Sequence, residues 1–192
     1  IHTQTSKQIT AAPAVEASKL KYNWTSRSST KLPRSRGNVI QQSTKPHIVC
    51  TIQARMGSSR LPGKTLATVV GKPVLELMVE RLKRATTINE IVVATTVNSE
   101  DDAIEALCHK LDISCYRGSS ERVLERVVQA LQVTNADINV ELMADSPFPE
   151  PTIVDAMVGI YFEHRYDYVS NCITTTFPPG LEARVYPRWV LE

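Results

Sequence analysis

The residues between Ile48 and Thr65, IVCTIQARMGSSRLPGKT, bring together the group types that hold phosphate. Arg55, Arg60 and Lys64 are cations, Ser58 and Ser59 carry hydroxyls, and Gly57 lets the main chain approach an anion without a Cβ in the way. Ile48, Val49 and Ile52 ahead of them read as a buried strand, so the loop is delivered beyond a strand's carboxyl end, where backbone N–H groups and positive charge can be aimed at one ligand. The forked donors of Arg55 suit a phosphate better than an ammonium does. The spacing is not that of a P-loop: Ser58, Ser59, Arg60, Leu61 and Pro62 separate Gly57 from Gly63, one residue more than that loop allows, and Pro62 has no N–H to offer. The G-x-G-x-x-G dinucleotide fingerprint is also absent, so the sequence gives little support to hydride transfer. A polyphosphate held by a different loop geometry is the expectation.

The elements that must position this loop follow from periodicity. Val74, Leu75, Leu77, Met78, Leu82 and Ala85 recur at helical spacing, and Ile91 to Ala94 form the continuous apolar run of a strand buried on both faces. Ser99 is expected to cap a helix whose Ile104, Leu107, Cys108 and Leu111 face inward, with Glu100, Asp101 and Asp102 explained by the helix dipole. Strand Ile113 to Tyr116, helix Val123 to Leu131, strand Ile138 to Met143 and helix Ile153 to Tyr161 continue the alternation, and Tyr168 to Ser170 is the last strand that can be read. A further helix is expected to begin near Trp189. The fold class is α/β, a Rossmann-like, mainly parallel sheet with helices on both faces. In such sheets ligands lie beyond the carboxyl ends of the strands, which puts the loop, Thr95, Thr96 and Asp145 on one edge.

Charge divides the chain. Residues 1–47 carry eight Lys and Arg against Glu16, a net +7, which leaves −5 for the rest of a chain whose total is +2. Residues 1–46 therefore read as a basic, Ser/Thr-rich tail or linker expected to be disordered, and 47–192 as the folded domain; the pI of 8.4 reflects the tail and is no evidence for nucleic-acid binding. No apolar run has the length of a membrane span and nothing resembles a signal peptide, so a cytoplasmic location is expected. Cys50, Cys108, Cys115 and Cys172 lack C-x-x-C spacing and read as buried thiols in a reducing compartment.

The loop QARMGSSRLPGK resembles the nucleotide-binding signature of the bacterial sugar cytidylyltransferases, in particular the spore coat polysaccharide biosynthesis protein F type, relatives of the acylneuraminate and KDO enzymes. The likeness continues through GKPVLELMVERLKRA, INEIVVATTVNSEDDAIEAL, YRGSSERVLERVVQAL, ADSPF, YDYVSN and FPPGLEARVY. It implies a nucleotide-diphospho-sugar transferase fold, incomplete at the carboxyl end, that transfers CMP from CTP to a sugar or sugar acid and releases pyrophosphate in polysaccharide or glycan synthesis. It further implies Mg2+ at Asp145 and Glu182, catalytic cations at Arg60 and Lys64, and nucleotide contacts from Ala54, Arg55, Met56, Gly57, Ser58, Arg60, Lys64, Thr95 and Thr96. Ser170, Asn171, Phe177 and Gly180 correspond to the stretch facing the sugar. No nucleic-acid or membrane partner is implied, and a homodimer is an allowed assembly. Glu141, Arg122, Ser146 and Arg184 depart from the family pattern, which leaves open a second reading: a catalytically impaired nucleotide-binding or scaffold homologue. A glycosyltransferase is a third class, but the Asp-x-Asp motif typical of it is missing.

Overall fold

The computed structural model describes residues 45–58, 60–173 and 177–192. The tail expected over 1–46 lies almost wholly outside them, as does Ser59. In chain order the elements are β1 (Ile48–Gln53), β2 (Thr68–Val69), β3 (Lys72–Pro73), α1 (Val74–Leu82), β4 (Glu90–Thr96), α2 (Asp102–Lys110), β5 (Ser114–Gly118), α3 (Val123–Val133), β6 (Ile138–Met143), α4 (Pro151–His164), β7 (Val169–Ser170) and β8 (Arg184–Pro187).

Six strands form one sheet in the order β5-β4-β1-β6-β8-β7. β5, β4, β1 and β6 are parallel, and β8 runs antiparallel to β6 and β7. β1 lies in the middle because Ile48 to Ile52 is buried throughout, a pattern only an interior strand with both faces covered can satisfy. Cys50 and Ile52 point to the face packed by α1, α2 and α4, and Val49 to the face packed by α3. Helices therefore cover both faces, as the alternating pattern predicts, but unequally. α1 is seated by Leu75, Met78 and Leu82, all fully buried. At about 1.5–3 kcal/mol for each such side chain, packing rather than intrinsic propensity fixes this nine-residue helix.

Four local expectations are corrected. Ser99 does not cap a helix: Ser99–Asp101 form a 3-10 turn without a side-chain cap, and α2 starts at Asp102. The readable pattern does not end at Ser170, because β8 adds an antiparallel strand beyond it, and the expected helix near Trp189 is a 3-10 turn over Arg188–Val190. Of the four cysteines, Cys50 and Cys108 are buried, whereas Cys115 and Cys172 are only partly so. No helix among the described residues is long and apolar enough to cross a membrane.

Candidate active site

The loop after β1 is built on the main chain of Met56. Its carbonyl accepts from the N–H of Ser58 at 2.8 Å and of Gly63 at 3.0 Å, which closes the excursion carrying Arg60. Gly63 has a φ of 72°, a conformation glycine adopts without the cost a Cβ would bring. Thr65 ties the far side of the loop back by donating its hydroxyl to the Arg55 carbonyl at 3.2 Å.

The N–H of Met56 is held from elsewhere. It donates to Asp101 Oδ1 at 2.7 Å, while Asp101 Oδ2 accepts from the N–H of Thr96 at 3.2 Å and from the Thr96 hydroxyl. Asp101 is fully buried, so these donors replace water around its carboxylate and lock the loop to the carboxyl end of β4. In the sequence its role is not separable from the dipole explanation, because it stands between two other acids. The signal lies in the spacing alone: a carboxylate five residues after the last strand residue can fold back onto that strand.

Lys64 and Asp145 are brought together. Lys64 Nζ lies 2.9 Å from Asp145 Oδ2, which joins the loop after β1 to the segment after β6. That contact follows from the parallel register of β1 with β6, in which Gln53 stands beside Met143. One residue beyond Asp145, Ser146 donates its hydroxyl to Glu182 Oε2 at 2.9 Å, and the N–H of Gly180 donates to the same oxygen at 2.7 Å. Burial pushes the Glu182 carboxyl up, but its own backbone N–H and the donors from Ser146 and Gly180 outweigh burial and hold it below the usual carboxylate range, against the repulsion of Asp145. Gly180 is buried at φ 100°, so the turn that aims its N–H needs a residue free to enter positive φ.

The remaining expected site residues divide by exposure. Arg55, Gly57 and Arg60 are exposed and Ser58 half-buried, whereas Ala54 is buried. Thr95 and Thr96 present no hydroxyl to an open pocket: Thr95 Oγ1 is buried without a partner and Thr96 Oγ1 serves Asp101. Ser170 and Asn171 are buried. The Asn171 amide donates to the Leu181 carbonyl and accepts from the N–H of Ala183, both at 2.9 Å, a clamp on the segment leading into β8. Phe177 is half-buried.

Beside this edge runs a chain of polar groups across β1, β6 and β8. The Tyr186 hydroxyl donates to Glu141 Oε2 at 2.7 Å and accepts from Asn139 Nδ2 at 2.9 Å, and Gln53 donates to the other Glu141 oxygen. The carboxylate at 141 is thus fully engaged by neutral donors and stands in register with Arg184.

A mainly parallel α/β sheet with a cationic loop after its first strand and two carboxylates across the same edge is an α/β fold whose candidate ligand site lies beyond the carboxyl ends of its strands. The chain belongs to the cytidylyltransferase family, whose model matches residues 49–180. It is 36% identical over 125 residues to the spore coat polysaccharide biosynthesis protein SpsF of Bacillus subtilis, covering 63% of this chain and 52% of that protein. It is 31% identical over 112 residues to the 3-deoxy-manno-octulosonate cytidylyltransferase of Geobacter metallireducens, covering 58% of this chain and 43% of that one. A solved cytidylyltransferase from Leptospira borgpetersenii superposes with a TM-score of 0.71 at 32% identity, over 78% of this chain and 63% of the other. The chain spans about half the length of these curated relatives.

Proposed function

We propose that this chain provides the nucleotide-binding part of a cytidylyltransferase that transfers CMP from CTP to a sugar or sugar acid, with release of pyrophosphate, in polysaccharide or glycan synthesis. In that reaction a sugar hydroxyl oxygen bonds to the α-phosphorus, the bond from that phosphorus to the bridging oxygen of the β-phosphate breaks, and the hydroxyl proton passes to water. The observation that carries the reading is the meeting of Lys64 and Asp145 at 2.9 Å, a cation and a carboxylate from the segments that follow the neighbouring strands β1 and β6. Membership of the family and the likeness to SpsF and to a 3-deoxy-manno-octulosonate cytidylyltransferase support it.

Within this reading Arg55, Arg60 and Lys64 neutralise the triphosphate, and the N–H groups of the loop approach it at Gly57. Ala54, Met56, Ser58, Thr95 and Thr96 shape the cleft through their main chain. Ser170, Asn171, Phe177 and Gly180 bound the side where the sugar enters. Asp145 and Glu182 suit Mg2+: both are hard carboxylates, the depressed pKa of Glu182 keeps it charged at neutral pH, and their charges act on each other across Ser146. Among the described residues no cluster of three or more His, Cys, Asp or Glu gathers, and Mg2+ takes only one or two carboxylates beside phosphate and water. When bound, the ion would draw charge from the phosphate oxygens.

The test is pyrophosphate release by the complete protein over a panel of nucleoside triphosphates and sugars. CTP-dependent release with one sugar class supports the proposal. Binding of CTP with no release on any sugar would favour the nucleotide-binding or scaffold alternative.

A further inference from the structure

The carboxyl end of β5 adjoins a cation that the fold buries and then leaves almost unused. Arg126, in the first turn of α3, is only 3% exposed. Its Nη1 donates to the Ser119 carbonyl at 2.6 Å, the one hydrogen bond its guanidinium makes among the described residues. Its Nε is buried without any partner. No carboxylate among the described residues pairs with it, although Asp101 lies close enough to favour its charge. Burial depresses its pKa, and the positive charge of Arg55 in the loop depresses it further.

An uncompensated buried charge costs several kcal/mol in the folded state, and such buried polar atoms are rare enough in native proteins to call for a reason. The fold also reserves room for this side chain. A Cβ on Gly118 would lie 2.9 Å from Arg126 Cγ, 3.2 Å from its Cβ and 3.1 Å from the Tyr116 ring. The Arg126 atoms in the way belong to the root of the side chain, which cannot swing aside as its tip could. Gly118 stands in register with Thr96, whose hydroxyl and N–H serve Asp101, which in turn holds the N–H of Met56. Arg126 therefore belongs to the same sheet edge as the phosphate-type loop, on the side of β4 away from Asp145.

We propose that Arg126 is a nucleotide-binding residue, whose unused N–H groups donate to acceptor oxygens of the nucleotide that enters beside Arg55. This rests on the nucleotide-binding reading of the site. A guanidinium offers a planar fork of donors and no acceptor, so its ligand must present oxygens. Phosphate oxygens and the carbonyl of a pyrimidine ring both do. A bound acceptor would compensate the charge through the terminal guanidinium N–H groups, and the nearby Arg55 favours one that is negatively charged or electron-rich. The alternative is a purely structural tether, in which Arg126 does no more than hold the Ser119 carbonyl.

The complete protein is titrated calorimetrically with CTP and with inorganic triphosphate, as wild type, Arg126→Met and Arg126→Lys, and each form is also melted. Removing an unpaired buried charge is neutral or stabilising, so Arg126→Met is expected to melt at or above the wild-type temperature while its CTP affinity falls at least about tenfold. Arg126→Lys should recover part of that loss. A parallel fall for inorganic triphosphate puts the acceptor on the phosphates, and unchanged triphosphate affinity puts it on the cytidine half. Wild-type CTP affinity in Arg126→Met overturns the proposal, as does a loss of affinity that comes with a lowered melting temperature and is not relieved in Arg126→Lys. A wild-type protein that binds no nucleotide removes the nucleotide reading itself, and this one with it.

Discussion

Lys64 Nζ meets Asp145 Oδ2 at 2.9 Å across 81 positions of sequence, and both side chains remain about a third exposed. An ion pair so open to water contributes less than about 1 kcal/mol. It can therefore be separated cheaply, Lys64 turning to a phosphate and Asp145 to a cation. Lys64→Ala is expected to leave the unfolding free energy within about 1 kcal/mol of wild type. It is expected to lower kcat/KM by about 100- to 1000-fold, the range seen when a preorganised charge-stabilising donor is removed. Pyrophosphate release and denaturant unfolding on the same preparation check both halves, and normal turnover would end the assignment.

Asp101 acts on the loop after β1 through its main chain. Its two oxygens hold the N–H of Met56 at 2.7 Å and the N–H and hydroxyl of Thr96. Asp101→Asn puts an amide donor where one of those oxygens accepts, so a buried N–H loses its partner, at about 1–3 kcal/mol. The expected result is a destabilised protein with a loosened loop: KM for CTP rises several-fold while kcat at saturation falls less. Saturation curves for CTP set beside an unfolding curve would separate this positioning role from direct participation, which would lower kcat at unchanged KM.

Much of this arrangement could be read from residue order, and the parts that could not share a physical cause. Ile91 to Ala94 is a continuous apolar run and Ile138 to Met143 alternates apolar with polar residues; both patterns announce strands, and their order puts Asp145 on the edge of the loop. β8 has four residues, Arg184 to Pro187, and exists because β6 offers it a partner far away in the sequence, as in the pairing of Glu141 with Arg184 and of Tyr186 with Asn139. β2 and β3, of two residues each, are too short to show any period. Among Glu100, Asp101 and Asp102 the sequence shows three like charges, and only the 3-10 turn decides that the middle one is buried. Arg126 is hidden for a similar reason: at one helical turn from Arg122 it reads as a surface residue until the packing under Gly118 is seen.

Away from the site, Asp155 joins α4 to the turn after α1. Its carboxylate accepts from the N–H groups of Thr86 and Thr87 at 2.9–3.0 Å and from both hydroxyls, at 2.9 and 2.6 Å. Burial raises its pKa, but these donors outweigh burial and the pKa lies below the usual carboxylate value. A depressed folded-state pKa means that the stabilisation is fully present above the unfolded pKa, near 3.9, and is lost as the pH falls through the lower folded value. Asp155→Asn should therefore cost about 1–2 kcal/mol at pH 7 and progressively less in acid. Denaturant unfolding of both forms at neutral pH and below pH 4 measures the difference; a pH-independent gap would mean that shape rather than charge is at stake.

Glu182 offers the sharpest check on the metal assignment, because its carboxylate is positioned by Ser146 and Gly180, not by Lys64. Those donors, at 2.9 and 2.7 Å, grip one oxygen and orient the group beside Asp145. Glu182→Gln keeps the size and an acceptor for both donors while removing the charge a divalent cation would meet. The loop after β1, with Arg55, Arg60 and Lys64, is untouched. The Mg2+ concentration needed for half-maximal pyrophosphate release is therefore expected to rise about tenfold or more, the scale on which support of a metal site is felt, with little change in CTP affinity at saturating Mg2+. Because the folded pKa of Glu182 is depressed, the contrast with wild type should hold throughout neutral pH and close only as wild-type Glu182 is itself protonated in acid. A Mg2+ titration of Glu182→Gln that overlays the wild-type curve would leave Asp145 as the only carboxylate of the pair with a claim on the ion.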